Sequence, residues 1–69
     1  MAALQDLKPD QVVALIRKKI REALGDKAEN NATVFASHGY YYVSVAEAGI
    51  GGRTLRRSSL RKFFKELKK

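Results

Sequence analysis

Eight cations fall within residues 53–69: Arg53, Arg56, Arg57, Arg61, Lys62, Lys65, Lys68 and Lys69, set against the lone carboxylate of Glu66. Over residues 1–52, Lys8, Arg17, Lys18, Lys19, Arg21 and Lys27 are matched by Asp6, Asp10, Glu22, Asp26, Glu29 and Glu47, so the whole net charge of +7 belongs to the C-terminal end. A neutral body with a cationic end concentrates its field on one surface, and such a field recruits polyanions. Guanidinium and ammonium groups at this density contact phosphates, which gives affinity without reading base sequence. Nothing in the pattern distinguishes DNA from RNA. The bland alternative is a solvated helix that keeps a small domain soluble.

Four other groups of residues have chemistry to offer. Phe35, Tyr40 and Tyr42 share one face of the hairpin derived below. They form a surface on which unpaired bases stack beside Lys and Arg, an interface with a second copy or another partner, or ordinary packing that covers the core edge. His38 is the lone histidine; one imidazole can serve general acid–base chemistry, but a metal site needs several ligands and none accompany it. Gly49, Gly51 and Gly52 precede Arg53 and Thr54, an arrangement that suits an anion at a helix N-terminus. It lacks the Lys-Ser/Thr of a nucleotide loop and equally describes a flexible connection. Leu55-Arg56-Arg57-Ser58-Ser59-Leu60 is similar to the substrate motif of basophilic kinases, and phosphate on Ser59 would partly cancel the cationic face.

The elements that must position these residues follow from periodicity. Pro9 suits the first position of a helix, with Asp10 favourable in its first turn. Val12, Ile16, Ile20, Ala23 and Leu24 then form an apolar stripe over residues 9–24, and Gly25 supplies the stop. Residues 1–8 read as a loose segment and residues 26–31 as a polar loop. Two β-rich runs, Ala32 to Ser37 and Tyr40 to Val45, flank His38-Gly39, the signature of a tight hairpin with Ser37 opposite Tyr40. One face then carries Ala32, Val34, Ala36, Tyr41, Val43 and Val45; the other carries Thr33, Phe35, Ser37, Tyr40, Tyr42 and Ser44. Residues 46–53 read as a Gly-rich connection. Leu60, Phe63, Phe64 and Leu67 mark the seam of a final basic helix within residues 53–69, capped by Thr54 or by Ser58.

A chain of 69 residues without cysteine has no disulfide or thiolate site and must rely on its core or on self-association. The composition, 45% hydrophobic and 30% charged, argues against wholesale disorder. No stretch has the length and apolarity of a membrane span, and the N-terminus has no secretory pattern, so a cytoplasmic protein is expected. A basic amphipathic helix can lie on an anionic membrane, but that would withdraw Leu60, Phe63, Phe64 and Leu67 from a core too small to spare them. The expected architecture is a single small α+β domain, helix, two-stranded antiparallel hairpin, helix, with both helices on the aliphatic sheet face.

The order helix, hairpin, helix resembles the small head–tail joining proteins of lambda-type phages. The similar parts are Ala32-Thr33-Val34 and the pattern Ser59-Leu60-Arg61-Lys62-Phe63-Phe64 with Glu66-Leu67; this chain adds a Gly-rich insertion before the last helix. That resemblance implies a virion structural role with a viral assembly partner. Ser37-His38, Gly52 and Thr54-Leu55-Arg56 are similar to the mRNA-cleaving toxins of the HicA type, which implies a ribonuclease dependent on His38. Taken together, the residues point first to a non-enzymatic nucleic-acid-binding protein without a cofactor, its partner DNA or RNA, its contacts on the basic C-terminal helix.

Overall fold

The computed structural model describes residues 6–67. Helix α1 spans Pro9–Leu24, the expected limits. Its entry is closed by the Lys8 backbone N–H, which donates to Gln11 Oε1 at 2.8 Å, and its exit by Gly25, whose N–H donates to the Arg21 carbonyl at 2.8 Å. Strands β1 (Thr33–Ser37) and β2 (Tyr40–Val45) pair antiparallel with Ser37 opposite Tyr40 and Phe35 opposite Tyr42, as the hairpin signature requires. His38 (φ +47°) and Gly39 (φ +82°) both occupy the left-handed region, which matches the twist of the flanking strands.

Two segments depart from expectation. Residues 26–30 form a short helix, α2 (Asp26–Asn30), rather than a loop; the chain turns at Gly25 and the methyl of Ala28 reaches the core. The Gly-rich connection is a third strand. After a 3-10 turn at Ala46–Ala48, β3 runs from Ile50 to Leu55 and pairs antiparallel with β2, giving a sheet in the order β1-β2-β3. The two-stranded expectation is therefore corrected to three strands, and the α+β class stands. Tyr42 lies opposite Thr54 and Val43 opposite Arg53, whereas Val45 lies opposite Ile50. Gly51 and Gly52 thus face Ser44 alone, a bulge whose left-handed residue is Gly52 (φ +49°).

Helix α3 spans Arg57–Leu67, starting between the two caps considered from sequence. Thr54 is held in β3 and Ser58 already lies within the helix. Val12, Ile16 and Ile20 of α1, Leu60, Phe63 and Leu67 of α3, and Val34, Tyr41, Val43, Val45 and Leu55 of the sheet form one buried cluster. Both helices consequently cover one sheet face, the aliphatic one. Ala36 is the exception on that face, exposed near the hairpin tip. Among the described residues no helix is long and apolar enough to cross a membrane.

Candidate nucleic-acid interface

The helices and the open sheet face present different chemistry to opposite sides of the molecule. On the helical side, burial of Leu60, Phe63 and Leu67 fixes the rotation of α3 and turns Arg61, Lys62 and Lys65 outward, all exposed. Arg57, Arg61 and Lys65 recur every fourth residue and so form a row along one flank, with steps of about 6 Å along the axis. Phe64, at the margin of the same flank, meets α1: the Lys19 ammonium lies 5.9 Å from its ring centroid. The α1 cations Lys18 and Lys19 are thereby carried to the side of the molecule where α3 displays its own. Lys19 also sits 4.0 Å from Glu22, a long, exposed contact that adds little stability.

The charge pattern alone places the candidate cations in the C-terminal segment and does not show that Lys18 and Lys19 of α1 share their side of the molecule. The usable signal was the α1 stripe itself: with Val12, Ile16 and Ile20 inward, Lys19 must fall on a margin of that stripe. Which margin faces α3 is a property of the docked helices, not of either helix alone. Arg17 differs, as its Nη1 donates to the Glu29 carbonyl at 3.4 Å and ties α1 to α2.

The eight cations of residues 53–69 do not make one surface. Arg53 belongs to β3 and pairs with Glu66 of α3 at 2.9 Å, beside a groove of about 280 Å³ lined by Leu55, Ser59, Lys62 and Phe63. Both partners of that ion pair are half exposed, so a phosphate can replace Glu66 at small cost. Arg56 lies between β3 and α3 and turns to the other side of the sheet: its Nη2 donates to the Tyr40 hydroxyl at 3.1 Å and its guanidinium carbon is 5.3 Å from the Tyr40 ring centroid. Arg57 sits 5.9 Å from the ring centroid of Tyr41. Lys68 and Lys69 lie outside the described residues. The structure therefore gathers Arg57, Arg61, Lys62 and Lys65 on the helical layer with Lys18 and Lys19, leaving Arg53 at the β3 margin and Arg56 on the far face.

The chain matches no protein-family model, and no curated protein or solved structure is similar to it beyond chance. Function has to be argued from the two surfaces themselves.

The open sheet face carries Thr33, Phe35, Ser37, Tyr40, Tyr42, Ser44, Gly52 and Thr54, the first six being those assigned to it from the hairpin alternation. Phe35 and Tyr42, directly opposite in the ladder, stack with centroids 4.9 Å apart and planes 22° from parallel. Phe35 is 47% exposed and Tyr40 39%. With Ser37, His38 and Thr54 these rings line a shallow depression of about 300 Å³. His38 stands exposed at its rim, on the turn. Among the described residues no group of acidic or imidazole side chains is arranged to hold a metal ion.

Proposed function

We propose that this chain is a nucleic-acid-binding protein whose helical layer holds the phosphate backbone. The observation that carries the proposal is the convergence of cations from α1 and α3 on one layer, with the Lys19 and Phe64 contact joining the two sets. Lys18, Arg61, Lys62 and Lys65 of that layer are exposed and flexible, while Arg57 and Lys19 are half-buried against Tyr41 and Phe64, so several phosphates are reached without any change in the core. Affinity in such an arrangement is electrostatic and tolerant of sequence.

If about four to six phosphates are neutralised on duplex DNA, log K against log salt should fall with a slope of roughly −4 to −5. Reversing two charges in the row, Arg61→Glu with Lys65→Glu, should make the slope shallower by about two. Lys27→Glu, exposed on α2 and outside the cations of α1 and α3, serves as the control and should leave the slope nearly unchanged. No binding at low salt, affinity indifferent to salt, or an equal effect from Lys27→Glu would each overturn the proposal.

A second reading is favoured by β3. A three-stranded sheet between two helices supplies the strand that the likeness to HicA-type toxins calls for, and fold alone does not decide activity. In that reading His38 would be the acid–base group. The binding proposal instead makes His38 a turn residue, chosen for tolerance of φ +47°. Asparagine suits that conformation at least as well, so His38→Asn should change stability by no more than a few tenths of a kcal/mol and leave phosphate binding intact. RNA cleavage by the wild-type protein that disappears in His38→Asn would establish the ribonuclease instead. The likeness to head–tail joining proteins is restricted to the first helix, the hairpin and the last helix, because β3 stands where those proteins pass directly from hairpin to helix.

A further inference from the structure

We infer that the open sheet face is a second nucleic-acid site, one that takes unpaired bases by stacking on Phe35, Tyr40 and Tyr42 and holds a phosphate with Arg56. It lies across the sheet from the phosphate-binding helical layer and goes beyond it, because it recognises bases rather than charge alone.

Three observations carry the inference. First, the aromatic residues are presented to solvent rather than consumed by the core, whose apolar side chains all come from the opposite sheet face and the helices. Clustered exposed rings on a small domain mark a binding surface. Second, the stacked pair of Phe35 and Tyr42 is joined by hydroxyls of Ser37 and Thr54 in one shallow depression. Ring faces that accept any base, with small polar groups for base edges, are what single-stranded recognition requires. A duplex keeps its bases stacked on one another and offers none to such a surface.

Third, among the described residues that make up this face one is ionised, and it is a cation. Arg56 is held there by Tyr40, through the 3.1 Å hydrogen bond and the ring contact. This decides between nucleic acid and a second copy of the chain. A two-fold interface brings together only residues of this same face, and its described residues include no carboxylate. Self-association would bury two guanidinium groups, each beside only the neutral hydroxyl and ring of Tyr40 and with no carboxylate to balance its charge, which is costly. An anionic strand supplies the missing charge and the flat rings together.

The test compares three ligands: an unstructured oligonucleotide of about eight nucleotides, an abasic backbone of equal length, and a duplex. The base-containing strand should bind more tightly than the abasic one and quench tyrosine emission. Phe35→Ser, at an exposed position outside the core, should weaken the base-containing strand about five- to 150-fold and leave the abasic strand and duplex unaffected. Tyr40→Ser also removes the hydroxyl that holds Arg56 and should weaken the base-containing strand more than the abasic one. Arg61→Glu with Lys65→Glu should weaken duplex and abasic binding while base-dependent quenching persists at low salt, so loss of the helical site and loss of this one are read separately. Equal affinity for the base-containing and abasic strands, or indifference to both ring substitutions, would overturn the inference. So would sedimentation showing a dimer that Phe35→Ser converts to monomers, since the face would then belong to a second copy.

Discussion

Replacing Phe63 by alanine should remove about 3–5 kcal/mol of folding stability, the usual cost of deleting a buried aromatic ring together with the cavity it leaves. Phe63 is 1% exposed and belongs to the cluster that joins α1, α3 and the sheet. A domain of this size has roughly 3–10 kcal/mol in total, so the variant should be partly or wholly unfolded at room temperature. Urea unfolding followed by circular dichroism would show it, with emission from buried Tyr41 as a second probe. The neighbouring Phe64 is only half-buried, at the margin against Lys19, and Phe64→Ala should cost distinctly less. If the two substitutions cost the same, the rotation of α3 described above is wrong. The row of Arg57, Arg61 and Lys65 along one flank would then lose its basis, because that row is defined by which side of α3 is buried.

The parts of the fold legible in the sequence are those whose signals are local. Pro9 and Gly25 delimit α1 without help from the rest of the chain, and His38-Gly39 sets the hairpin register because few other pairs accept two left-handed residues in succession. Strand β3 was illegible for the converse reason. Only Ile50 and Leu55 are strongly apolar in Ile50-Gly51-Gly52-Arg53-Thr54-Leu55, and the two glycines weaken any intrinsic strand preference. The strand exists because β2 has a second edge to satisfy, and pairing there supplies hydrogen bonds that the local sequence does not advertise. Helix α2 depended in the same way on Ala28 finding the core.

For the candidate site, residue types were legible and their grouping only in part. The cations of α3 and the aromatic face of the hairpin both follow from periodicity, and the expectation that both helices pack on the aliphatic face already sets them on opposite sides of the sheet. Which cations stay on the helical side depends on the docked elements and is not local. Arg56 shows the limit most clearly. In sequence it is one cation among eight, whereas in the fold it is the cation that joins Tyr40, because it sits in the turn where β3 gives way to α3.

Gly52→Ala should destabilise the protein by about 1–3 kcal/mol and at the same time disturb the aromatic face. Two separable causes contribute. The backbone at φ +49° penalises a side chain by roughly 1–2 kcal/mol, and a Cβ would stand 2.6 Å from the Tyr42 hydroxyl oxygen and 3.3 Å from Cε1 and Cζ of the same ring. The ring is rigid, so it has to swing away as a unit, and its stacking on Phe35 is altered with it. A double-mutant cycle separates the two causes. In a Tyr42→Ala background, Gly52→Ala should retain the backbone cost and lose the steric one, giving a smaller destabilisation than in the wild type. Gly52→Asn, which tolerates the left-handed backbone, should show the reverse balance, little backbone cost with the steric conflict kept. If Gly52→Ala costs the same with and without the Tyr42 ring, the ring does not rest on the bulge. The bulge would then serve strand pairing alone, and the placement of Tyr42 beside Phe35 would need another cause.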